Sequence, residues 1–101
     1  MRSNRRLLLS VEAVADLTDI WHFTASTWGD AQADGYVERV RARLDELVRF
    51  PGLGKARDEI AMGLRGLPVE RHVPFYVVRP DSIVVRRILH PSRDFEDELQ
   101  R

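Results

Sequence analysis

The sequence predicts an α+β fold: an N-terminal strand, an antiparallel helical hairpin packed on a small antiparallel β-sheet, and a short C-terminal helix. Three observations predict it. Apolar residues recur at helical spacing over two successive stretches between Ser10 and Arg49, divided at Gly29. Beyond Phe50-Pro51-Gly52 the pattern changes to short runs rich in Val, Ile, Phe and Tyr, bounded by turn residues. Neither a helical hairpin nor a sheet can bury its apolar side alone, so the hairpin must lie on one sheet face. The other face is then left for a partner.

Arg6 to Leu9 reads as the first strand, and Ser10 as a helix cap whose hydroxyl satisfies a free amide of the first turn. Val14, Leu17, Trp21, Ala25 and Trp28 define one face of the helix that follows. Gly29 stops it, and Asp30 can cap the next. The second stripe is Ala33, Tyr36, Val37, Val40, Leu44, Leu47 and Val48. Its polar side carries Arg41–Asp45 and Asp45–Arg49 at i,i+4, a solvated face. So short a link makes the two helices an antiparallel hairpin.

Lys55 to Met62 reads as a polar loop, with room for a turn of helix. Strands follow over Leu64 to Val69, Val73 to Arg79 and Ser82 to His90, with a turn at Pro80-Asp81. Phe75-Tyr76-Val77-Val78 is apolar on both faces, which suits a central strand. Strict alternation puts Ile83, Val85, Arg87 and Leu89 on one face of the last strand, and Val84, Arg86, Ile88 and His90 on the other. Asp94 can cap a terminal helix over 94–99.

The 101 residues suit one domain, 1–101, large enough to hold a core without staples. With no cysteine there is no disulfide framework, thiolate nucleophile or cysteine metal site, which suits a reducing cytoplasm. No apolar run reaches the roughly 20 residues that span a bilayer, so no membrane partner is expected. The basic start Met1-Arg2-Ser3-Asn4-Arg5-Arg6 precedes too short an apolar run for a secretory signal. A net charge of zero argues against a nonspecific nucleic-acid coat. The charge is uneven, however. Between Arg65 and Arg93 six arginines face two acids, Glu70 and Asp81.

The most informative stretch is Val84-Val85-Arg86-Arg87-Ile88-Leu89-His90-Pro91-Ser92-Arg93-Asp94, a buried strand ending in a basic cluster and a sharp turn. His90 is a candidate acid–base group or a strand-end structural histidine. His72, at a strand start, reads as structural and His22 as exposed. No two histidines have the spacing of a metal site, and no cofactor is implied. Arg87 reads as structural, its aliphatic stem packed on the strand, and Arg86 as the more exposed of the pair. Gly52-Leu53-Gly54-Lys55 lacks the spacing of a phosphate loop.

Several segments together resemble the ParE branch of the ParE/RelE toxin superfamily. They are Leu9-Ser10 with Ala13, Asp16-Leu17 and Ile20-Trp21; Trp28-Gly29, Gln32-Ala33 and Tyr36; Phe50-Pro51-Gly52-Leu53-Gly54-Lys55, Arg57-Asp58-Glu59 and Gly63-Leu64-Arg65; and His72-Val73-Pro74-Phe75-Tyr76 with Arg87-Ile88-Leu89-His90 and Asp94. The resemblance implies the toxin of a type II toxin–antitoxin pair, held as a hetero-oligomer by a ParD-like antitoxin whose C-terminal segment fills an apolar groove. It implies DNA gyrase as the target, inhibited without catalysis through stabilised cleaved complexes. Arg86, His90 and Arg93 are the candidate target contacts. Trp21, Trp28 and Tyr36 are the candidate antitoxin contacts or, alternatively, core.

The RelE branch cuts mRNA on the ribosome, and the shared fold does not choose between the two activities. Cleavage needs a proton acceptor, cations for the phosphate and an acid for the leaving oxygen. Arg65, Arg71, His90 and Arg93 are the residues that could supply them. Against it, the segment from Phe95 to Arg101 has no tyrosine and is acidic, and the loop offers Lys55 without a lysine cluster.

Overall fold

A computed structural model describes residues 5–100; the basic start at Met1 to Asn4 lies outside them. The elements are β1 (Arg6–Leu9), α1 (Val11–Trp28), α2 (Asp30–Arg49), β2 (Lys55–Ala56), β3 (Leu64–Gly66), β4 (Val73–Val78), β5 (Ser82–Leu89) and α3 (Phe95–Leu99). The five strands form one sheet in the order β1-β5-β4-β3-β2. Its β3-to-β5 part is antiparallel, as expected, and β2 adds antiparallel to β3, but β1 runs parallel to β5, with Leu7 opposite Ile83 and Leu9 opposite Val85. The sheet is therefore mixed. The long helical connection makes this possible, since parallel neighbours need a crossover.

Caps behave as the residues dictate. Ser10 Oγ accepts the Ala13 N–H at 3.0 Å. Asp94 Oδ1 accepts the Asp97 N–H at 3.1 Å. Gly29 ends α1 and itself caps α2, so Asp30 is the first residue of α2 and not its cap. The positive φ of Gly29, 94°, is open to glycine and strained for other residues. Within α2, among the described residues, the ion pair is Arg43–Glu46 at 3.0 Å rather than the i,i+4 pairs of the sequence reading.

α2 buries the stripe its spacing predicts: Ala33, Tyr36, Val40, Leu44 and Leu47. Each fully buried Leu contributes roughly 1.5–3 kcal/mol. In α1 the buried residues are Ala13 and Ile20, so the inward face is turned from the expected one; Val14 and Trp28 are exposed. Leu17 packs at the core margin.

β5 departs from strict alternation. Phe75 pairs with Arg87 and the next residue, Tyr76, with Val85, so Arg86 is the extra residue of a β-bulge. The bulge resets parity. Ile83, Val85 and Ile88 share the helix-side core, while Leu89 joins the opposite one. That opposite face is not left for a partner: Ile60, Phe95 and Leu99 cover Leu64, Val73, Phe75 and Leu89. The loop contains β2, whose Lys55 and Ala56 pair with Gly66 and Arg65.

β1 stops at Leu9, so the edge of β5 beyond Val85 lacks a neighbouring strand. Side chains of the following helix replace it. Ser10 Oγ donates to the Arg86 carbonyl at 2.7 Å, and Asp16 Oδ2 accepts the Ile88 N–H at 2.8 Å. Buried backbone groups need such partners.

Candidate functional site

Beyond this edge the ends of β4 and β5 meet the hairpin at a groove of about 840 Å³. The α1 wall carries Asp19, Phe23 and Trp28, and the α2 wall Gln32, Tyr36 and Arg39. Glu70, Arg71 and His72 close one side; His90, Ser92 and Arg93 close the other. Phe23 and Trp28 are 68% and 62% exposed, two large aromatics left open to solvent on one wall.

The floor at the strand ends is a histidine pair. Val73 lies opposite Leu89, so His72 and His90 are the next residues across the ladder. Their rings meet edge to face with centroids 5.5 Å apart. The Tyr36 hydroxyl accepts the Arg71 N–H at 3.1 Å and lies 2.7 Å from His72 Nδ1. The phenol thus bridges the Arg71 backbone and the His72 ring, the direction of the second bond following the His72 tautomer. Likewise His90 Nδ1 accepts the Ser92 N–H at 3.1 Å and faces Ser92 Oγ at 2.9 Å.

Burial pushes the His72 imidazole below its ordinary pKa; His90 and Arg71 add to the shift and Asp16 opposes it. Burial also raises the Tyr36 phenol, against the Arg71 N–H bond. Arg39 is held by Glu70 at 2.8 Å, and Arg93 pairs with Glu98. The Arg71 guanidinium makes no hydrogen bond or ion pair among the described residues.

The groove unites residues that the sequence kept in separate sets. Of the candidate target contacts, His90 and Arg93 line it. Arg86 does not; it is exposed at the bulge. Of the candidate antitoxin contacts, Trp28 and Tyr36 line the groove, whereas Trp21 faces a shallow hollow elsewhere beside Val37, Glu38 and Arg41, its Nε1–H donating to Asp34 at 2.8 Å. The candidate nuclease set is also divided. Arg71, His90 and Arg93 share the groove, but Arg65 donates to the Gly54 carbonyl at 2.6 Å and ties the loop to β3.

Arg87 takes the structural role its position suggests, though not by packing between Val85 and Leu89. It bonds Asp16 at 2.8 and 2.9 Å and Glu98 at 3.1 Å, and these carboxylates raise its pKa. Sequence reasoning missed Asp16, Glu98 and the meeting of His72 with His90. Antiparallel pairing counted back from the Pro80-Asp81 turn would have brought the histidines near each other; nothing local marks the two acids. No group of three or more His, Cys, Asp or Glu able to hold a metal ion occurs among the described residues. No helix among them is long and apolar enough to cross a membrane.

Comparison with known proteins agrees with the architecture. Residues 7–95 match the family model of the ParE toxin of the type II toxin–antitoxin system parDE. Toxin ParE1 of Mycobacterium tuberculosis is 37% identical over 95 residues, covering 93% of this chain and 97% of that one. Toxin ParE1 of Caulobacter vibrioides is 34% identical over 91 residues, covering 90% and 94%. A chain of the chromosomal ParDE system from P. aeruginosa has the same fold, with a TM-score of 0.77 over 86% of this chain and 96% of that one at 22% identity. A match through nearly the whole sequence, with the strand–hairpin–sheet order preserved, places this chain in the ParE toxin family of type II toxin–antitoxin systems.

Proposed function

We propose that this chain is a toxin neutralised by a ParD-like antitoxin, and that it inhibits DNA gyrase by binding, holding a cleaved gyrase–DNA complex rather than performing a reaction of its own. The observation that carries the reading is the shared groove. Trp28 and Tyr36, two of the candidate antitoxin contacts, line it with His90 and Arg93, two of the candidate target contacts. An antitoxin segment laid over the aromatic wall therefore covers the basic corner, and neutralisation is direct occlusion. A groove of this shape suits helix-in-groove packing anchored by large side chains. Such a toxin works where gyrase and DNA are, in the cytoplasm.

A binding mechanism also fits the histidines. His90 Nδ1 is turned to Ser92, accepting its N–H at 3.1 Å and facing its hydroxyl at 2.9 Å. Arg65 is committed to Gly54, away from Arg71 and Arg93. The test is a plasmid supercoiling assay with purified gyrase, ATP and this protein. Lost supercoiling with trapped linear DNA, reversed by the antitoxin, is the expected result. Normal supercoiling by folded protein would overturn it. New mRNA 5′ ends after induction would then support the second reading, ribosome-dependent cleavage, for which Arg71, His90 and Arg93 share one groove.

A further inference from the structure

We propose that the polar end of the groove is a seat for one side-chain carboxylate, an Asp or Glu of the antitoxin segment whose apolar neighbour covers Phe23 and Trp28. This rests on the antitoxin reading above and adds the chemistry by which the segment is recognised.

Three features build the seat. First, Arg71 is the loose cation of the groove: Arg39 is taken by Glu70 and Arg93 by Glu98, while the Arg71 guanidinium has no partner among the described residues. Its backbone is nevertheless fixed, because the Arg71 N–H donates to the Tyr36 hydroxyl at 3.1 Å. Second, the Ser92 N–H bond to His90 Nδ1 leaves the hydrogen of a neutral His90 ring on Nε2, and the Tyr36 hydroxyl holds His72 Nδ1 at 2.7 Å. No hydrogen bond to either Nε2 occurs among the described residues, so both ring edges are open to a ligand at the strand ends. Third, the same groove holds the two exposed aromatics, so one segment can place an apolar side chain and an acid at once.

The charge balance selects a single carboxylate over a polyanion. Glu70 is neutralised by Arg39, but Asp19 on the α1 wall makes no ion pair among the described residues. Arg71 is the one guanidinium of this lining without an ion pair among the described residues, and Asp19 opposes further negative charge, so the corner offers one cation to one carboxylate. A nucleic-acid strand, with a charge at every phosphate, needs more unpaired cations than this corner offers.

The test measures affinity by calorimetry between a full-length ParD-like antitoxin that binds this chain and the wild type, Arg71→Lys or Arg71→Glu. Arg71 is exposed, so both variants fold. Arg71→Glu weakens binding about tenfold or more and Arg71→Lys much less. One Asp→Arg or Glu→Arg change in the antitoxin then restores affinity for Arg71→Glu. The imidazole Nε2 resonances of His72 and His90 shift on binding. Unchanged affinity for Arg71→Glu, absence of any restoring acid, or unmoved imidazole resonances would each overturn the seat while leaving the antitoxin reading intact. Failure of folded wild type to bind any ParD-like antitoxin would overturn both. A labelled single-stranded oligonucleotide that binds the wild type and not Arg71→Glu, with antitoxin affinity unaltered, would identify nucleic acid as the occupant and overturn the proposal.

Discussion

Asp16 and Arg87, 71 positions apart, form a two-pronged ion pair, Nε to Oδ2 at 2.8 Å and Nη2 to Oδ1 at 2.9 Å. The same carboxylate accepts the Ile88 N–H at 2.8 Å. Asp16 thus closes the open edge of β5 and fixes α1 to it, while Arg87 extends the network to Glu98 of α3. Helix, strand and C-terminal helix meet at one guanidinium.

Removing one partner of a largely buried pair leaves the other uncompensated. The two side chains are 13% and 19% exposed. Asp16→Ala is therefore expected to cost about 2–4 kcal/mol, part of it from the orphaned Ile88 N–H. Urea unfolding of Asp16→Ala, Arg87→Met and the double variant measures the coupling. Single losses that simply add in the double variant would refute it.

Gly54 packs against Tyr76 with no room for a side chain. A Cβ there would lie 2.6 Å from the Tyr76 hydroxyl and 3.0 Å from the Gly66 carbonyl oxygen. That hydroxyl accepts the Gly54 N–H at 2.8 Å and donates to the Pro51 carbonyl at 2.7 Å. Gly54→Ala should cost about 1–3 kcal/mol by overpacking. Tyr76→Phe should lose about 1–3 kcal/mol by stranding the Gly54 amide. Thermal melts of both variants decide; wild-type stability in either would contradict this packing.

His72 links stability to pH. Its folded pKa lies below the unfolded value of about 6.5, mainly through burial, so the unfolded chain takes up the proton first. The contribution is complete above that unfolded value and is lost as pH falls through the folded one. His72→Gln should flatten the stability profile below about pH 6.5. An unchanged slope in denaturation series would show that other groups set it.

Trp28 separates stability from binding. At 62% exposure it contributes little to the core, and Trp28→Ala should alter stability by less than about 0.5 kcal/mol. As an antitoxin anchor, its truncation should weaken antitoxin binding by about 2 kcal/mol or more. Calorimetry and melting of the same protein test both halves. A Trp28→Ala protein that binds normally would remove Trp28 from the interface.

Local chemistry was legible along the chain. Ser10, Gly29 and Asp94 set element ends because caps and positive φ depend on a residue and its near neighbours. The α2 stripe was legible because its apolar residues are large and its opposite face is charged. On α1, threonine, alanine and aromatics ring the helix, so several faces looked apolar, and only packing showed that Ala13 and Ile20 turn inward. The bulge at Arg86 was hidden because residues on both sides of β5 are apolar, and either parity fits the sequence. The parallel pairing of β1, the cover of α3 on the second sheet face, the Asp16–Arg87 link and the groove joining Trp28 and Tyr36 to His90 and Arg93 arise between residues far apart in the chain. Spacing along a sequence reports periodicity within one element, whereas strand order and register bring distant side chains together.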